Sequence, residues 1–219
     1  MSRVLSIVVL SFLLIMEGTP AEVGEKVSIA TFTNDEMSDW TERSFEKHTN
    51  YQLIGEETPL ALKASCEDQA SVLYRRVSVD LTKTPFLHWS WRVEEVHPNL
   101  DDTTKDGDDY AARLYVVYSK GSILPWRAKA VNYVWANSQP IGSAWPSAFT
   151  DDDIMVAQQS GQPVNPGEWI HEVRNVREDF NKLFGQDIKS IDSVAIMTDC
   201  DNSKLPSTGY YRDIWFSAE

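Results

Sequence analysis

The stretch FLHWSWRVEEV, Phe86 to Val96, sorts its residues by side from Leu87 to Glu94. Leu87, Trp89, Trp91 and Val93 fall on one side, and His88, Ser90, Arg92 and Glu94 on the other. An apolar face repeating every second residue, built of aromatic and branched side chains, belongs to a half-buried β-strand. A helix would scatter the same residues around its axis, because its repeat is about 3.6.

Outward from this strand the pattern recurs. PLALKASC and ASVLYRRVSVDL precede it, and DYAARLYVVY, AVNYVWA, DIMVAQQ, EWIHEVRNV, SVAIMT and GYYRDIWF follow. Turn-rich segments separate them: GEETP, DLTKTP, KDGDD, NSQPIGS, QPVNPG and DCDNSKLPST. Only REDFNKLFGQ reads as a helix, opening with acidic residues and stopping at Gly185. Many strands, one short helix and no strand–helix alternation predict an all-β fold, an antiparallel two-sheet sandwich of the jelly-roll kind. The near-continuous apolar content of FLHWSWRV and DYAARLYVVY places both strands inside their sheets.

The first residues read differently. Arg3, an uncharged run from Val4 to Met16 and the small residues Thr19-Pro20-Ala21 have the order of a signal peptide. That predicts a leader over 1–21, a single sandwich domain over 22–219, and export to the periplasm or beyond. No later run is long and apolar enough to span a membrane. The net charge of −13 is unchanged by removing the leader, because Arg3 and Glu17 go together. So acidic a surface repels a phosphate backbone, which argues against nucleic acid as a partner. The two cysteines, Cys66 and Cys200, either form one disulfide closing a long loop or stay as two buried thiols. Without paired histidines they make no zinc site.

Three acidic runs carry the candidate chemistry. Just before and within KDGDDYAARLYVVY, Lys105 to Tyr118, the residues Asp102, Thr104 and Asp106 have the spacing of a calcium loop around Gly107. The closing position, however, is Arg113, which cannot bind a cation. Asp106, Asp108 and Asp109 of this turn, or Asp199, Asp201 and Asn202 of MTDCDNS, remain candidate oxygens for an irregular calcium site, against the plainer role of capping turns. Asp151-Asp152-Asp153 reads as a solvated turn or helix start. Arg92 and Arg113 lie within strands. Each either pairs with a carboxylate, for Arg113 one from Asp108, Asp109 or a neighbouring strand, or holds an acidic or hydroxyl-rich ligand in a forked grip. Among the eight tryptophans, Trp89, Trp135 and Trp215 sit on strands and read as core. Trp126 and Trp145, beside Pro125 and Pro146, read as exposed platforms for sugar rings. The chain has no nucleophile elbow, no HExxH and no phosphate loop.

The blocks ASVLYRRVSVDLTKTPFLHWSWRV, KDGDDYAARLYVVY, NYVWA, VRNVREDFNKLFG, IMTDCDNS and YYRDIWF, in this order, resemble the uncharacterised bacterial family catalogued as domain of unknown function 3047. The likeness runs from about Ile29 to Ser217. Two positions depart from it: Cys200, where a small hydroxyl residue is expected between two aspartates, and Asp106, where a small residue is expected before Gly107. The resemblance implies an exported β-sandwich and brings no established reaction. The opening WTERSFEKHTNYQL and the closing YYRDIWF are also similar to carbohydrate-binding jelly rolls, a likeness of fold that does not fix function. The expected role is a non-catalytic binding domain for a carbohydrate or a cell-envelope polymer. The alternatives are a polysaccharide-active enzyme using Asp108, Asp109, Asp199 or Asp201 as acid and base, and a purely structural envelope protein.

Overall fold

The computed structural model describes residues 25–56, 60–119 and 128–219. The expected leader over 1–21 and the expected platform Trp126 lie outside them.

Among the described residues, thirteen strands and one α-helix follow in chain order: β1 (Lys26–Ala30), β2 (Trp40–Glu46), β3 (Asn50–Ile54), β4 (Ala61–Cys66), β5 (Ala70–Asp80), β6 (Phe86–Val93), β7 (Arg113–Tyr118), β8 (Lys129–Ala136), β9 (Ala144–Ser147), β10 (Thr150–Ser160), β11 (Ile170–Asn175), α1 (Val176–Phe184), β12 (Ser190–Asp199) and β13 (Ser207–Ser217). They form two sheets. One has the order β11-β6-β13-β4-β3, with β1 also pairing with β13; the other runs β2-β5-β12-β7-β8-β10-β9. All pairings are antiparallel except β8 with β10. This is the all-β two-sheet sandwich expected, and both β6 and β7 are interior strands.

The core lies between the sheets and takes alternate residues of the strands that face it. Leu87, Trp89, Trp91 and Val93 of β6 are buried, and so are Val131, Tyr133 and Trp135 of β8. The Trp89 and Tyr133 rings stack with centroids 5.2 Å apart, and Trp91 meets Trp135 at 6.1 Å. Offset and tilted aromatic pairs of this kind add about 0.5–1.5 kcal/mol beyond the area they bury. The helix closes one side. The Asn175 side chain accepts from the Glu178 amide at its start, and Gly185 ends it at φ 65°. Phe180 enters the core, and buried Asp179 accepts from Tyr133 and Arg174.

Cys66, at the end of β4, is joined to Cys200, just past β12, with Cα atoms 6.0 Å apart. Of the two readings open for the cysteines, the disulfide is the one adopted, and it ties one sheet to the other.

Three expectations about local structure are corrected. Asp151-Asp152-Asp153 lie in β10, not in a turn, because β10 begins at Thr150 and pairs with β9 and β8. The strand in DYAARLYVVY begins only at Arg113; Tyr110, Ala111 and Ala112 precede it as buried loop. Trp215 is only partly buried, since an irregularity in β13 between Arg212 and Trp215 turns it to the outer side.

Candidate ligand-binding cleft and its acidic end

The outer face of the seven-stranded sheet carries a cleft of about 900 Å³, lined by residues of β2, β5, β12, β7, β8 and β10. Its rings are Phe45, Tyr74 and Tyr115; its charged groups include Arg43, Arg76, Asp152, Asp153 and Asp192. The strand register explains this grouping. Tyr74 pairs with Ala195 and Ala195 with Tyr115, so the small alanine leaves space between two rings on one face. Arg43 stacks over the exposed Phe45 ring at the β2 edge. Asp192 accepts from both the amide and the hydroxyl of Ser119.

Two groups in the cleft have shifted ionisation. Burial pushes Asp153 up to about 6, against the pull of Arg113 and with help from the Asp152 and Asp108 charges. Burial also raises Tyr115, so its hydroxyl stays neutral; it donates to Met197 Sδ and accepts from Arg113 Nη1 at 3.4 Å.

Behind Tyr115, the same face ends in a buried polar knot. Arg113, only 4% exposed, grips Asp199 with two donors, Nε to Oδ1 at 3.1 Å and Nη2 to Oδ2 at 2.5 Å. Nη2 also donates to the Asp108 carbonyl and lies 3.6 Å from its carboxylate. Tyr110 lies under the guanidinium at 4.2 Å. Asp109 accepts from Asn202 and from the Ser203 amide. Four carboxylates, Asp108, Asp109, Asp199 and Asp201, thus crowd one arginine. Burial raises Asp199 well above the usual carboxylate range, and it raises Asp108 and Asp201 too, with Asp109 adding like charge.

Oxygen atoms of Asp109, Asp199 and Asp201 all lie within 4.8 Å of one another, so this group could hold a metal ion. The donors are hard carboxylate oxygens of the kind calcium takes, although both Asp199 oxygens also accept from Arg113.

The sequence candidates separate accordingly. Asp108, Asp109, Arg113, Asp199, Asp201 and Asn202 come together. Asp106 does not join them: it is exposed on the single turn Lys105–Gly107. Gly107 serves packing, since a Cβ there would come within 2.2 Å of the Asp101 carbonyl. Asn202 points its Nδ2 donor, not an oxygen, at Asp109. Trp145 is no platform: it is buried, with its ring N–H on the Asp102 carbonyl. Arg92 sits on the other sheet, stacked on Tyr210. The sequence offers no signal for the cleft residues Tyr74, Arg76, Tyr115 and Asp192, and it reads Asp153 as part of a turn or helix start. Alternation within a strand carries no sign that the strands of Tyr74 and Tyr115 share a sheet.

A comparison with curated proteins found no match. Among solved structures, the chain is similar to the family 11 carbohydrate-binding module of the cellulosomal cellulase Lic26A-Cel5E of Clostridium thermocellum. The TM-score is 0.50 at 10% identity, over 90% of this chain and 97% of that one. It also matches the xyloglucanase domain of NopAA, a type three effector from Sinorhizobium fredii, in complex with cellobiose, with TM-score 0.45, 8% identity, and coverage of 92% and 100%. At such identities these are likenesses of fold. A family model described as "Protein of unknown function (DUF3047)" matches residues 38–215, most of the sequence, and the chain therefore belongs to that family.

Proposed function

We propose that the protein is a non-catalytic binding domain that holds a carbohydrate chain in the cleft of the seven-stranded sheet. One observation carries the reading: a cleft crossing six strands, lined by Phe45, Tyr74 and Tyr115 and by charged hydrogen-bonding side chains. Sugars offer apolar ring faces and hydroxyl edges, and this lining offers a partner to each. The fold shared with a carbohydrate-binding module is consistent with this reading. The test is calorimetric titration of the purified protein with neutral glucan oligosaccharides, repeated with Tyr74→Ala and Tyr115→Ala. Binding that weakens roughly tenfold in each variant supports the cleft. Absence of binding to a broad glycan array, or binding indifferent to both substitutions, overturns it.

Catalysis is the second reading, since Asp153 has the raised ionisation that a general acid needs. Geometry opposes a carboxylate pair spanning the cleft. Asp192 on β12 and Asp153 on β10 are separated by β7 and β8, so their backbones lie three strand spacings or roughly 14 Å apart. Glycoside hydrolysis uses carboxyl groups about 5–9.5 Å apart. Release of reducing ends from a bound glycan, abolished in Asp153→Asn, decides for the enzyme.

The proposal includes calcium, held by Asp109, Asp199 and Asp201, which would offset the crowded negative charge beside Arg113. It also includes export. N-terminal sequencing of the protein from the extracytoplasmic fraction should begin after Ala21; a chain retained in the cytoplasm with Met1 intact overturns that part.

A further inference from the structure

The face opposite the cleft is chemically different. On the six-stranded sheet, Lys63, Arg92 and Tyr210 alternate with core-facing neighbours and point outward. The irregularity in β13, where Asp213 has φ 53°, lets both Arg212 and Trp215 emerge on this side. Cations and rings then alternate in a ladder. Lys63 Nζ is 5.9 Å from the Tyr210 ring, the Arg92 guanidinium 3.9 Å from Tyr210 and 5.3 Å from Trp169, and the Arg212 guanidinium 4.2 Å from Trp169. A second, shorter ladder sets Lys26 Nζ 4.2 Å over Trp215, which lies flat against His88 at 3.7 Å.

Rings that stack a guanidinium fix its plane and leave its N–H edge outward, which lowers the ordering cost of gripping an anion. The Nε atoms of Arg92 and Arg212 are buried without a hydrogen-bond partner, so a grip on a ligand falls to their Nη groups. Two carboxylates stand beside the ladder, Asp213 at 3.4 Å from Arg212 Nε and Glu94 on the Tyr210 hydroxyl. The four cations Lys26, Lys63, Arg92 and Arg212 still outnumber them by two. On a chain of net charge −13, this concentrates positive charge on one face.

We infer that this face is a second binding surface, for an acidic polysaccharide whose uronate carboxylates are gripped by Arg92 and Arg212. Register places Arg92 opposite Tyr210 and Arg212 two residues farther along β13, so the two forks are diagonal neighbours. That spacing lets one polymer engage both. A polyphosphate backbone is disfavoured, because the acidic remainder of the protein repels so dense a charge.

The experiment measures binding of the purified protein to polygalacturonate at about 50 mM and about 500 mM NaCl. The parent protein should bind, with affinity falling as salt rises. The double variant Arg92→Gln/Arg212→Gln should lose at least roughly tenfold. Lys63→Gln, at a half-buried strand position, should lose less and gives a reading if the double variant melts early. No binding by the parent overturns the inference. So does a double variant that is folded and binds as tightly as the parent, or single-stranded DNA that binds as well as polygalacturonate. Tyr115→Ala separates the two surfaces: it should weaken neutral glucan and leave polygalacturonate unchanged. If only neutral glucan fails to bind, the cleft reading falls and this inference stands.

Discussion

Arg113 and Asp199 meet as a closed fork, Nε on one carboxylate oxygen and Nη2 on the other, with both side chains buried. The arginine inside an apolar strand is therefore paired, as its place in the sequence required, and the main partner comes from the neighbouring strand β12. Removing one member leaves the other without its partner in a dry site. Arg113→Met should cost about 3–5 kcal/mol, read as a lower midpoint in urea. A change under about 1 kcal/mol would mean that the pair behaves as a solvated one.

Asp153 sets a pH dependence. Its ionisation lies near 6 in the folded protein, above the ordinary 3.8, so the folded state holds its proton more tightly. Its stabilising contribution is complete below about pH 4 and is lost as pH rises through about 6, up to about 3 kcal/mol in all. Asp153→Asn should raise the melting temperature at pH 8 relative to the parent and change it little at pH 4. Equal differences at both pH values would refute the assignment.

Calcium should raise the melting temperature. An ion that binds only the folded state stabilises it by roughly 2.7 kcal/mol at a hundredfold excess over its dissociation constant. Asp201→Asn, which removes one of the three clustered carboxylates while keeping the Arg113 fork, should reduce the shift. No difference between millimolar calcium and a chelated sample removes calcium from the proposal.

The disulfide joins residues 134 apart. Cys66→Ala/Cys200→Ala should lower stability by about 2–5 kcal/mol, because the open chain gains conformational freedom when unfolded. The check is denaturant unfolding of the double variant beside the oxidised parent; matching midpoints would show that the bond contributes nothing.

Asn132 is fully buried between Tyr115 and Met155, and neither end of its amide has a partner. An unmatched polar group in such a place costs about 1–3 kcal/mol. Asn132→Leu should therefore raise the urea midpoint. A loss of stability instead would show that a bound water or another group completes this amide.

What the sequence determined by itself was local and periodic. Alternation in Leu87–Val93 gave the strand and its buried face, turn residues marked the breaks, and Gly185 marked the helix end. The need to pair Arg113 was also legible, because an isolated charge in an apolar run is costly wherever the strand lies. What only the tertiary structure decided was which strands become neighbours. Asp199 reaches Arg113 from 86 residues away, and Tyr74 joins Tyr115 on one cleft because β12 runs between β5 and β7. Period two assigns a residue to a side of its own strand and carries no information on strand order. It therefore could not tell that Trp145 would be covered, that one irregularity in β13 would turn Trp215 outward, or that Asp153 would stand in a cleft and not in a turn.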